Sequence, residues 1–322
     1  MPGPTLHCGM LDRNRAAHPE RSYLDLLDRV WREGMPRLDR TGVGTRAVFG
    51  ETLRIDLSSG VVPLLTTKRI SWKTIVRELL WFLTGETNIR PLLQQGVTIW
   101  TDWPLARYRK ETREAIDQAA FEARIVADEA FALRWGDLGP VYGAQWRHWP
   151  KYLADGEGLY RRDPDGIDQI AKLVQDIRTN PSSRRLMFTG WNVAELDSMA
   201  LPPCHTTYQY FVGNGRLSGL LHQRSCDVGL GVPYNLMTAA LLIRMLAQQC
   251  DLNPGELVWF GGDVHIYENH GELVETQLAR EPRPWPTLRF ARRPDSILDY
   301  RLEDFVVEGY EPHPSIAAPI AV

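Results

Sequence analysis

A chain of 322 residues with 43% hydrophobic and 24% charged residues has the composition of an ordinary globular protein that can bury a substantial core. Its formal net charge of −3 gives no electrostatic footprint for nucleic acid, and no apolar run reaches the roughly 18 residues that a membrane helix requires. Four cysteines without paired spacing argue against a disulfide framework or a zinc site and favour a reducing, cytoplasmic compartment.

The N-terminal part of the chain contains two predicted elements and a polar loop. Residues 1–22 are polar and lack the apolar centre of a signal peptide, so we expect them to form an extension ahead of one catalytic domain over residues 23–322. The apolar spacing predicts a helix over 24–32, and a strand is predicted over 47–57. The glycine-rich loop at 39–45 can present backbone N–H groups to an anion, although such loops are usually only turns.

A second amphipathic helix is predicted between Ser71 as its N-cap and Gly85 as its C-terminal stop. Glu78 lies at the flank of the apolar stripe of this helix. A carboxylate at such an edge is normally solvated. If it is half buried instead, its pKa rises and it can transfer protons.

The next stretch combines aromatic residues with two polar insertions. Trp100 and Trp103 lie three residues apart, and large aromatic residues are more often core than the wall of a ligand site. Residues 104–134 are rich in Arg, Glu and Ala, which predicts an insertion of one or two charged surface helices. Residues 151–165 form a second polar insertion, and a short helix is predicted over 167–178. We assign no function to either insertion.

Three strands are predicted between residues 186 and 222. The first, over 186–191, follows Arg184 and Arg185, and paired arginines before a strand are usually solvated. The other two, over 206–212 and 216–222, flank a Gly-Asn-Gly sequence, which is a strong hairpin signal.

Reactive side chains concentrate in the stretch from Leu201 to Asn235. Cys204 follows two prolines, which fix the backbone φ and place the cysteine on a stiff, irregular segment. A cysteine reacts as the thiolate, which nearby cations favour, whereas most free cysteines are small buried hydrophobes. Cys226 and Cys250 fit that second description. A Cys-His protease dyad is not favoured, because such partners are adjacent in space and rarely in sequence.

The end of the third strand carries groups that suit a nucleotide. Arg224 and Ser225 offer a guanidinium fork and a hydroxyl to a phosphate, and an ion pair between Arg224 and Asp227 is the alternative. Two glycines then allow the backbone to turn closely around a ligand. Asn235 is predicted to open a helix over 236–250 that is apolar nearly all round, and its amide can match the O4 and N3–H edge of uracil.

The last predicted strand lies over 257–260 and is followed by a tight turn at 261–263. His265 and Tyr267, two residues apart, face the same way if this segment is extended. A buried His-Tyr pair in the core is the ordinary explanation for this spacing.

Several long segments occur in one order along the chain, namely DRTGVGT, TTKR, RELLWFLTGETN, GPVYGAQWR, SSRR, LPPCH, QRSCDVGLGVPYN, LAQQCDL, FGGDVHIYENH and PHPSIAAPIAV. Together they resemble the folate-dependent, flavin-free thymidylate synthase family. The resemblance extends from about Tyr23 to Val322 apart from the two insertions, and the number and order of the motifs make it highly specific.

The resemblance implies an α+β fold, with one large twisted mixed β-sheet, helices on one face and a homodimer that forms through the other face. It also implies a methyltransferase of nucleotide biosynthesis that converts dUMP to dTMP. The co-substrate 5,10-methylenetetrahydrofolate would give both carbon and hydride and leave as dihydrofolate, without flavin or metal. The short C-terminal segment at 318–322 is expected to cap the folate and exclude water.

Other functions remain open at this point. A pyrimidine nucleotide 5-hydroxymethylase on the same scaffold would let water capture the methylene group; Asn235 argues against a cytosine version, and Trp100 argues against admitting water. A non-catalytic RNA-binding role has no support from the acidic net charge, and a cysteine protease would act on peptides and ignore dUMP.

The resemblance further implies individual roles. Cys204 adds to C6 of uracil, Asn235 binds the O4/N3 edge, and Glu78 and Tyr142 with water remove the C5 proton. The expected catalytic set is Cys204, Glu78, Tyr142, Asn235, Asp227 and Arg224. The expected dUMP-binding set is Arg40, Arg224, Ser225, Asp227, Asn235, His265 and Tyr267, together with Arg184 and Arg185, which reach the partner's site. The expected folate-binding set is Lys68, Glu78, Trp100, Trp103, Leu201, Asp227, Gly231, Tyr234 and Ala321.

Three positions depart from the family pattern. Gly229 replaces a large aromatic residue, Tyr234 replaces phenylalanine, and His222 stands where tyrosine is common. We expect these residues to alter the packing around both ligands. Ser225 is retained, which favours deoxyribose over ribose.

Overall fold

The structure is a computed structural model that describes residues 18–38, 42–154, 156 and 158–319. The helices are α1 (Arg21–Glu33), α2 (Trp72–Thr84), α3 (Arg90–Gln94), α4 (Asp102–Thr112), α5 (Gln118–Ala127), α6 (Glu129–Trp135), α7 (Tyr142–Arg147), α8 (Gln169–Thr179), α9 (Gly231–Gln249) and α10 (Gly271–Leu278). The strands are β1 (Met35–Arg37), β2 (Thr45–Asp56), β3 (Trp149–Ala154), β4 (Tyr160–Ile167), β5 (Met187–Thr189), β6 (His205–Gly213), β7 (Arg216–Asp227), β8 (Asn253–Tyr267), β9 (Thr287–Phe290) and β10 (Phe305–Glu308). The expected boundary between an extension and a domain at residue 23 stays a prediction.

One six-stranded sheet organises these elements, in the order β1-β2-β8-β7-β6-β5. Strands β7 and β8 are parallel, and the other neighbours are antiparallel. Two smaller ribbons pair β3 with β4 and β9 with β10. The expected α+β fold with a large mixed sheet is confirmed.

Side chains alternate between the two faces of this sheet. Leu221 pairs with Trp259 across β7 and β8, and both side chains are fully buried. Helix α9 packs on this inner face so closely that a Cβ on Gly219 would lie 2.8 Å from Ile243 Cγ1. The opposite face carries apolar side chains that are 36–70% exposed, namely Met187, Phe211, Leu220 and Phe260.

Two sequence expectations about glycine-rich segments are wrong. Helix α9 begins at Gly231 and not at Asn235, because the first turn of a helix tolerates a proline such as Pro233, whose missing N–H has no partner there. Strand β8 runs unbroken through Gly261 and Gly262 instead of turning at 261–263. These glycines permit close approach: a Cβ on Gly261 would lie 2.4 Å from the Trp259 ring, and one on Gly262 would lie 3.2 Å from Arg224 O.

The two insertions are more ordered than their polar composition predicts. Residues 104–134 contribute to three helices, α4, α5 and α6, and not to one or two. Tyr108, Phe121 and Phe131 from these helices form a buried aromatic cluster, and the Arg124 guanidinium lies 4.0 Å above the Phe131 ring. Because charged and aromatic residues alternate in this stretch, its composition alone does not predict the cluster. The second insertion contains the hairpin of β3 and β4.

Most other predicted elements are confirmed, with shifted ends. Helix α2 follows Ser71 and stops at Gly85, whose φ of 81° is left-handed, although the Ser71 side chain bonds Thr74 Oγ1 instead of a backbone N–H. The hairpin of β6 and β7 turns at Asn214 and Gly215, both with positive φ. The strand predicted over 186–191 is shorter, as β5.

A close contact between two loops brings α7 next to the segment before β6. Ala200 N–H donates to Leu138 O at 2.8 Å, and Gly139 has a φ of +73°. A Cβ on Gly139 would lie 2.0 Å from Ser198 O. Only glycine fits here, for both conformational and steric reasons.

We predict that Gly139→Ala lowers the free energy of unfolding by about 3 kcal/mol, because it adds a backbone clash to left-handed strain. Gly60→Ala is the matched control: its φ is +90°, but nothing lies within 4 Å of the added Cβ, so it should cost only about 1 kcal/mol. Urea unfolding of both variants measures the difference. Equal losses would contradict the steric part of this prediction.

Candidate active site

Two contacts fix the main chain of Cys204, which lies half-buried immediately before β6. Its N–H donates to the hydroxyl oxygen of Tyr142 at 2.7 Å, and its carbonyl accepts the Arg224 N–H at 2.9 Å. The Arg224 guanidinium donates to the carbonyls of Pro202 and Pro203 at 2.8 and 2.9 Å. The cysteine is therefore presented by α7 on one side and β7 on the other.

Arg224 contacts carbonyl oxygens and an aromatic ring instead of the ion-pair partner, Asp227, that its spacing suggests. Its Nε and Nη2 contact prolyl carbonyls, and its guanidinium lies 5.1 Å above the ring of Trp191. Asp227 instead accepts the N–H of Leu230 at 3.2 Å, just before α9. This arrangement leaves Arg224 Nη1 outside both prolyl contacts.

A chain of hydrogen bonds orients the amide of Asn235. Gln223 Nε2 donates to Asn235 Oδ1 at 2.8 Å, and Trp259 Nε1 donates to Gln223 Oε1 at 2.9 Å. Asn235 also hydrogen-bonds His205, whose Nδ1 lies 3.1 Å from the Tyr208 hydroxyl. Burial lowers the pKa of His205 to about 4, so this network contains only neutral groups near pH 7.

The sequence interpretation missed the roles of Gln223 and His205. Both lie within the family motifs, directly beside Arg224 and Cys204. Nothing in their spacing indicates that they meet through Asn235, because that contact joins the start of β6, the middle of β7 and the second turn of α9.

Glu78 lies among aromatic side chains on α2. Trp100 Nε1 donates to its Oε1 at 2.8 Å. Burial raises the pKa of Glu78 to about 7, opposed by that hydrogen bond. The charge of Glu78 and the Cys204 thiol both act on Tyr142, whose pKa burial raises well above its ordinary value. A carboxyl group that titrates near neutrality thus lies close to the phenol that contacts the cysteine.

Four aromatic side chains, here called the aromatic wall, surround the Glu78 carboxyl group, namely Phe82, Trp100, Trp103 and Tyr142. Tyr142 stacks on Phe82 at 4.8 Å, and Trp100 meets the Tyr142 ring edge-on at 5.9 Å. Trp103 lies 5.3 Å from Trp100. Trp100 is only 6% exposed, whereas Trp103 is half-buried, so Trp103 presents more of its surface to a flat ligand.

Lys68 is buried, which its position in a polar segment does not predict. Its Nζ donates to Gly229 O, and burial lowers its pKa to about 8, opposed by the charge of Asp227. A Cβ on Gly229 would lie 2.8 Å from Nδ1 of His270, while His270 Nε2 donates to Pro319 O at 2.8 Å. The absence of a side chain at Gly229 therefore leaves room for His270, which contacts the C-terminal segment.

The remaining expected residues differ in their positions. His265 and Tyr267 are neighbours on β8, with ring centroids 5.5 Å apart, and His265 Nδ1 lies 3.0 Å from Asp263 Oδ1. Arg184 and Arg185 are exposed beside β5 and do not join the contacts of Cys204. Half-buried positions are occupied by Leu201, Ser225, Gly231 and Tyr234. Outside the described residues lie Arg40 and Ala321.

The other two departures from the family pattern have polar partners. The Tyr234 hydroxyl hydrogen-bonds the Ser71 backbone, and burial raises its pKa. His222 Nδ1 lies 2.7 Å from Thr206 Oγ1, and its ring stacks on Phe260 at 5.3 Å, on the exposed face of the sheet. The polar groups of Tyr234 and His222 therefore both have hydrogen-bond partners.

The described residues lack two kinds of feature. They contain no group of three or more His, Cys, Asp or Glu side chains arranged to bind a metal ion. They also contain no helix that is long and apolar enough to cross a membrane.

Comparison with known proteins gives a uniform result. The family model described as thymidylate synthase matches residues 21–322. A thymidylate synthase of Rhizorhabdus wittichii is 64% identical over 305 residues, covering 95% of this chain and 99% of its own length. Those of Novosphingobium aromaticivorans and Sphingopyxis alaskensis are 64% and 63% identical, over 96% and 95% of this chain and 99% and 98% of their own lengths.

We predict that Glu78→Gln changes how stability depends on pH. Because the folded-state pKa is raised from 4.5 to about 7, the folded protein binds this proton more tightly than the unfolded chain. The stability of the unsubstituted protein should therefore fall as pH rises from about 4.5 to about 7, and the variant should lack that loss. Urea unfolding at a series of pH values measures the free energy of unfolding of both proteins.

Trp100→Phe is the companion variant for this measurement. It removes the hydrogen bond that opposes the shift, so the loss of stability should extend to a higher pH than in the unsubstituted protein. Identical pH profiles for the unsubstituted protein and Glu78→Gln would show that the carboxyl group is not desolvated.

Proposed function

The chain belongs to the thymidylate synthase family, and from that premise we propose that it catalyses reductive methylation of dUMP to dTMP, with 5,10-methylenetetrahydrofolate as co-substrate and dihydrofolate as second product. The observation that carries this proposal is the placement of the Cys204 main chain against Tyr142, close to an Asn235 amide whose orientation is fixed by Gln223. These groups supply the nucleophile, the hydroxyl and the uracil reader that the reaction needs.

Cys204 acts as the nucleophile. Its thiolate forms a bond to C6 of the uracil ring, and the C5=C6 electron pair moves toward C5 and O4. Asn235 stabilises the negative charge that develops on O4 by donating an amide N–H, while its Oδ1 keeps a lone pair for the N3–H. Gln223 defines this orientation, because its own N–H occupies the other lone pair of Oδ1.

Glu78 and Tyr142 carry out proton transfer at C5. With a pKa of about 7, Glu78 exchanges protons readily near neutrality, which is the requirement for a group that first accepts and then returns a proton. Tyr142 keeps its proton, because burial raises its pKa, and it relays through its hydroxyl. A bound water would connect these groups to the ring.

The aromatic wall and the C-terminal segment suit the folate. Trp100, Trp103 and Leu201 offer flat and apolar surface, and Asp227 offers an acceptor for a heterocyclic N–H. When bound, methylenetetrahydrofolate supplies the one-carbon unit and the hydride. Lys68 supports the segment before α9 through Gly229 O, so a contact with the folate's glutamate tail would require it to leave that carbonyl.

The dUMP phosphate is bound by both subunits of a homodimer. Arg224 Nη1 and the Ser225 hydroxyl come from one subunit, and Arg184 and Arg185 of the partner subunit complete the site. The exposed apolar face of the sheet supports this arrangement, because Met187 of β5 lies on that face, two residues after Arg185. His265 and Tyr267 bind the 3′-hydroxyl of the sugar.

We further propose that the protein works in the cytoplasm, in dTMP biosynthesis. Cys204, Cys226 and Cys250 form no disulfide, which is compatible with a reducing compartment. Conversion of dUMP by a 5-hydroxymethylase is not favoured, because the relatives that match nearly the whole chain are named thymidylate synthase.

Cys204→Ser should lower kcat by at least about 10³-fold while leaving dUMP binding measurable, because the serine hydroxyl is a far weaker nucleophile and the dUMP contacts are unchanged. Formation of dihydrofolate from dUMP and methylenetetrahydrofolate is followed by absorbance. With 5-fluoro-dUMP and the folate, mass spectrometry should detect a covalent adduct at residue 204 in the unsubstituted protein and not in the variant.

The same assay tests the reaction type. A methylase produces dihydrofolate together with dTMP, whereas a hydroxymethylase makes a C5-modified nucleotide without the rise in dihydrofolate absorbance. Turnover of Cys204→Ser at the unsubstituted rate would refute the assignment of the nucleophile.

Shared active sites predict complementation between inactive variants. Cys204→Ser and the double variant Arg184→Glu, Arg185→Glu should each be nearly inactive. In a hybrid dimer, one site combines an intact Cys204 with intact arginines from its partner, so an equal mixture should regain about one quarter of full activity. The control is a mixture of Cys204→Ser and Glu78→Gln. Cys204 and Glu78 of each site come from the same subunit, so every site of the hybrid dimer carries one of the two changes, although it keeps the arginines. If the mixture of Cys204→Ser with the Arg184→Glu, Arg185→Glu variant regained no activity after subunit exchange, this result would contradict an active site shared between subunits.

A further inference from the structure

Glu20 is a carboxylate in an unusual place, immediately before α1 and with 0% of its surface exposed. Five neutral donors surround it. Oε1 accepts the Thr67 N–H at 2.9 Å and the Thr67 hydroxyl at 2.6 Å. Oε2 accepts the Thr66 N–H at 2.9 Å, the Thr66 hydroxyl at 2.7 Å and the Trp285 Nε1–H at 3.2 Å. Such a donor set suits a group that only accepts hydrogen bonds.

The segment that Glu20 binds leads directly to the site. Thr66 and Thr67 precede Lys68, whose Nζ donates to Gly229 O next to Asp227. The backbone that carries Lys68 is thus fixed on one side by Glu20 and on the other by the segment before α9. A shift of the two threonines would move Lys68 relative to Gly229.

The C-terminal part of the chain rests on the same segment. The His313 N–H donates to Thr66 O at 2.7 Å. Arg280 Nη1 donates to Thr67 O at 2.8 Å and to Pro314 O at 2.7 Å. The Tyr310 hydroxyl donates to Leu65 O at 3.0 Å. Residues 310–314 are therefore attached to the backbone that Glu20 orders, and they lead to the end of the chain.

We propose that Glu20 is a positioning residue for the folate side of the active site. Its carboxylate orders residues 65–70, and through them it fixes both Lys68 and residues 310–319. Cys204 and Asn235, which are proposed to bind the nucleotide, hydrogen-bond Tyr142 and Gln223, and both of these partners lie outside this segment. This role rests on the proposed function, and it predicts that folate use and dUMP binding respond differently to a change at residue 20.

Glu20→Ala should raise the KM for methylenetetrahydrofolate about tenfold or more, because several buried donors lose their acceptor, while the Kd of dUMP stays within about twofold. Glu20→Gln should show the same split, since its NH₂ group faces donors instead of accepting from them. Asp25→Ala, an exposed acidic residue on α1, is the matched control and should leave both constants unchanged. Steady-state kinetics and equilibrium dialysis measure the two quantities.

Chemical rescue separates positioning from a general loss of stability. Glu20→Ala leaves a small cavity lined by the five donors, so added acetate should restore the folate KM, whereas sodium chloride at the same concentration should not. Hydrogen exchange gives a readout without turnover: residues 65–70 and 310–319 should lose protection in Glu20→Ala and regain it with acetate.

Three results would overturn the proposal. They are an unchanged folate KM, an equal loss of folate and dUMP binding that tracks a lower Tm, or exchange protection that acetate does not restore. Failure of the proposed function would appear separately, as an unsubstituted protein that makes no dTMP. In that case the exchange experiment alone decides whether Glu20 orders these segments.

Discussion

The proposed chemistry depends on one contact between distant parts of the chain, the hydrogen bond from the Cys204 N–H to the Tyr142 hydroxyl. It joins the start of α7 to the segment before β6, and the loop contact at Gly139 makes that approach possible. The two prolines stiffen the cysteine segment, and Arg224 binds their carbonyls. The cysteine proposed as the nucleophile is thus positioned by backbone contacts on both sides.

Burial sets the protonation states around this sulfur. It raises the pKa of Glu78 to about 7 and lowers that of His205 to about 4, each in the direction that favours the uncharged form. In the proposed reaction, such a site would bind uracil through neutral amides and keep one titratable carboxyl group for proton transfer. Ion pairs would be less suitable here, because a fixed charge next to Asn235 would favour a different base edge.

Much of the fold could be predicted from the sequence, because long motifs occur in one order along the chain, and the roles of the residues in those motifs stay predictions. The hairpin of β6 and β7, helix α2 and the buried character of α9 follow from local patterns. The ends of α9 and β8 could not be predicted, since Pro233 and Gly261 are read as breaks when tertiary packing is unknown. The Gln223–Asn235–His205 network was also missed, because it joins three elements that only the folded sheet brings together.

The neutral surroundings of Glu20 have a consequence for how the protein responds to salt. An exposed ion pair such as Arg21–Glu281, one residue further along, weakens as mobile ions screen it over a Debye length of about 10 Å. The buried carboxylate of Glu20 is reached by no such ions, and its partners carry no charge to be screened. The hydrogen bonds that Glu20 makes just before α1 should therefore respond less to ionic strength than the ion pairs of α1 with its neighbours.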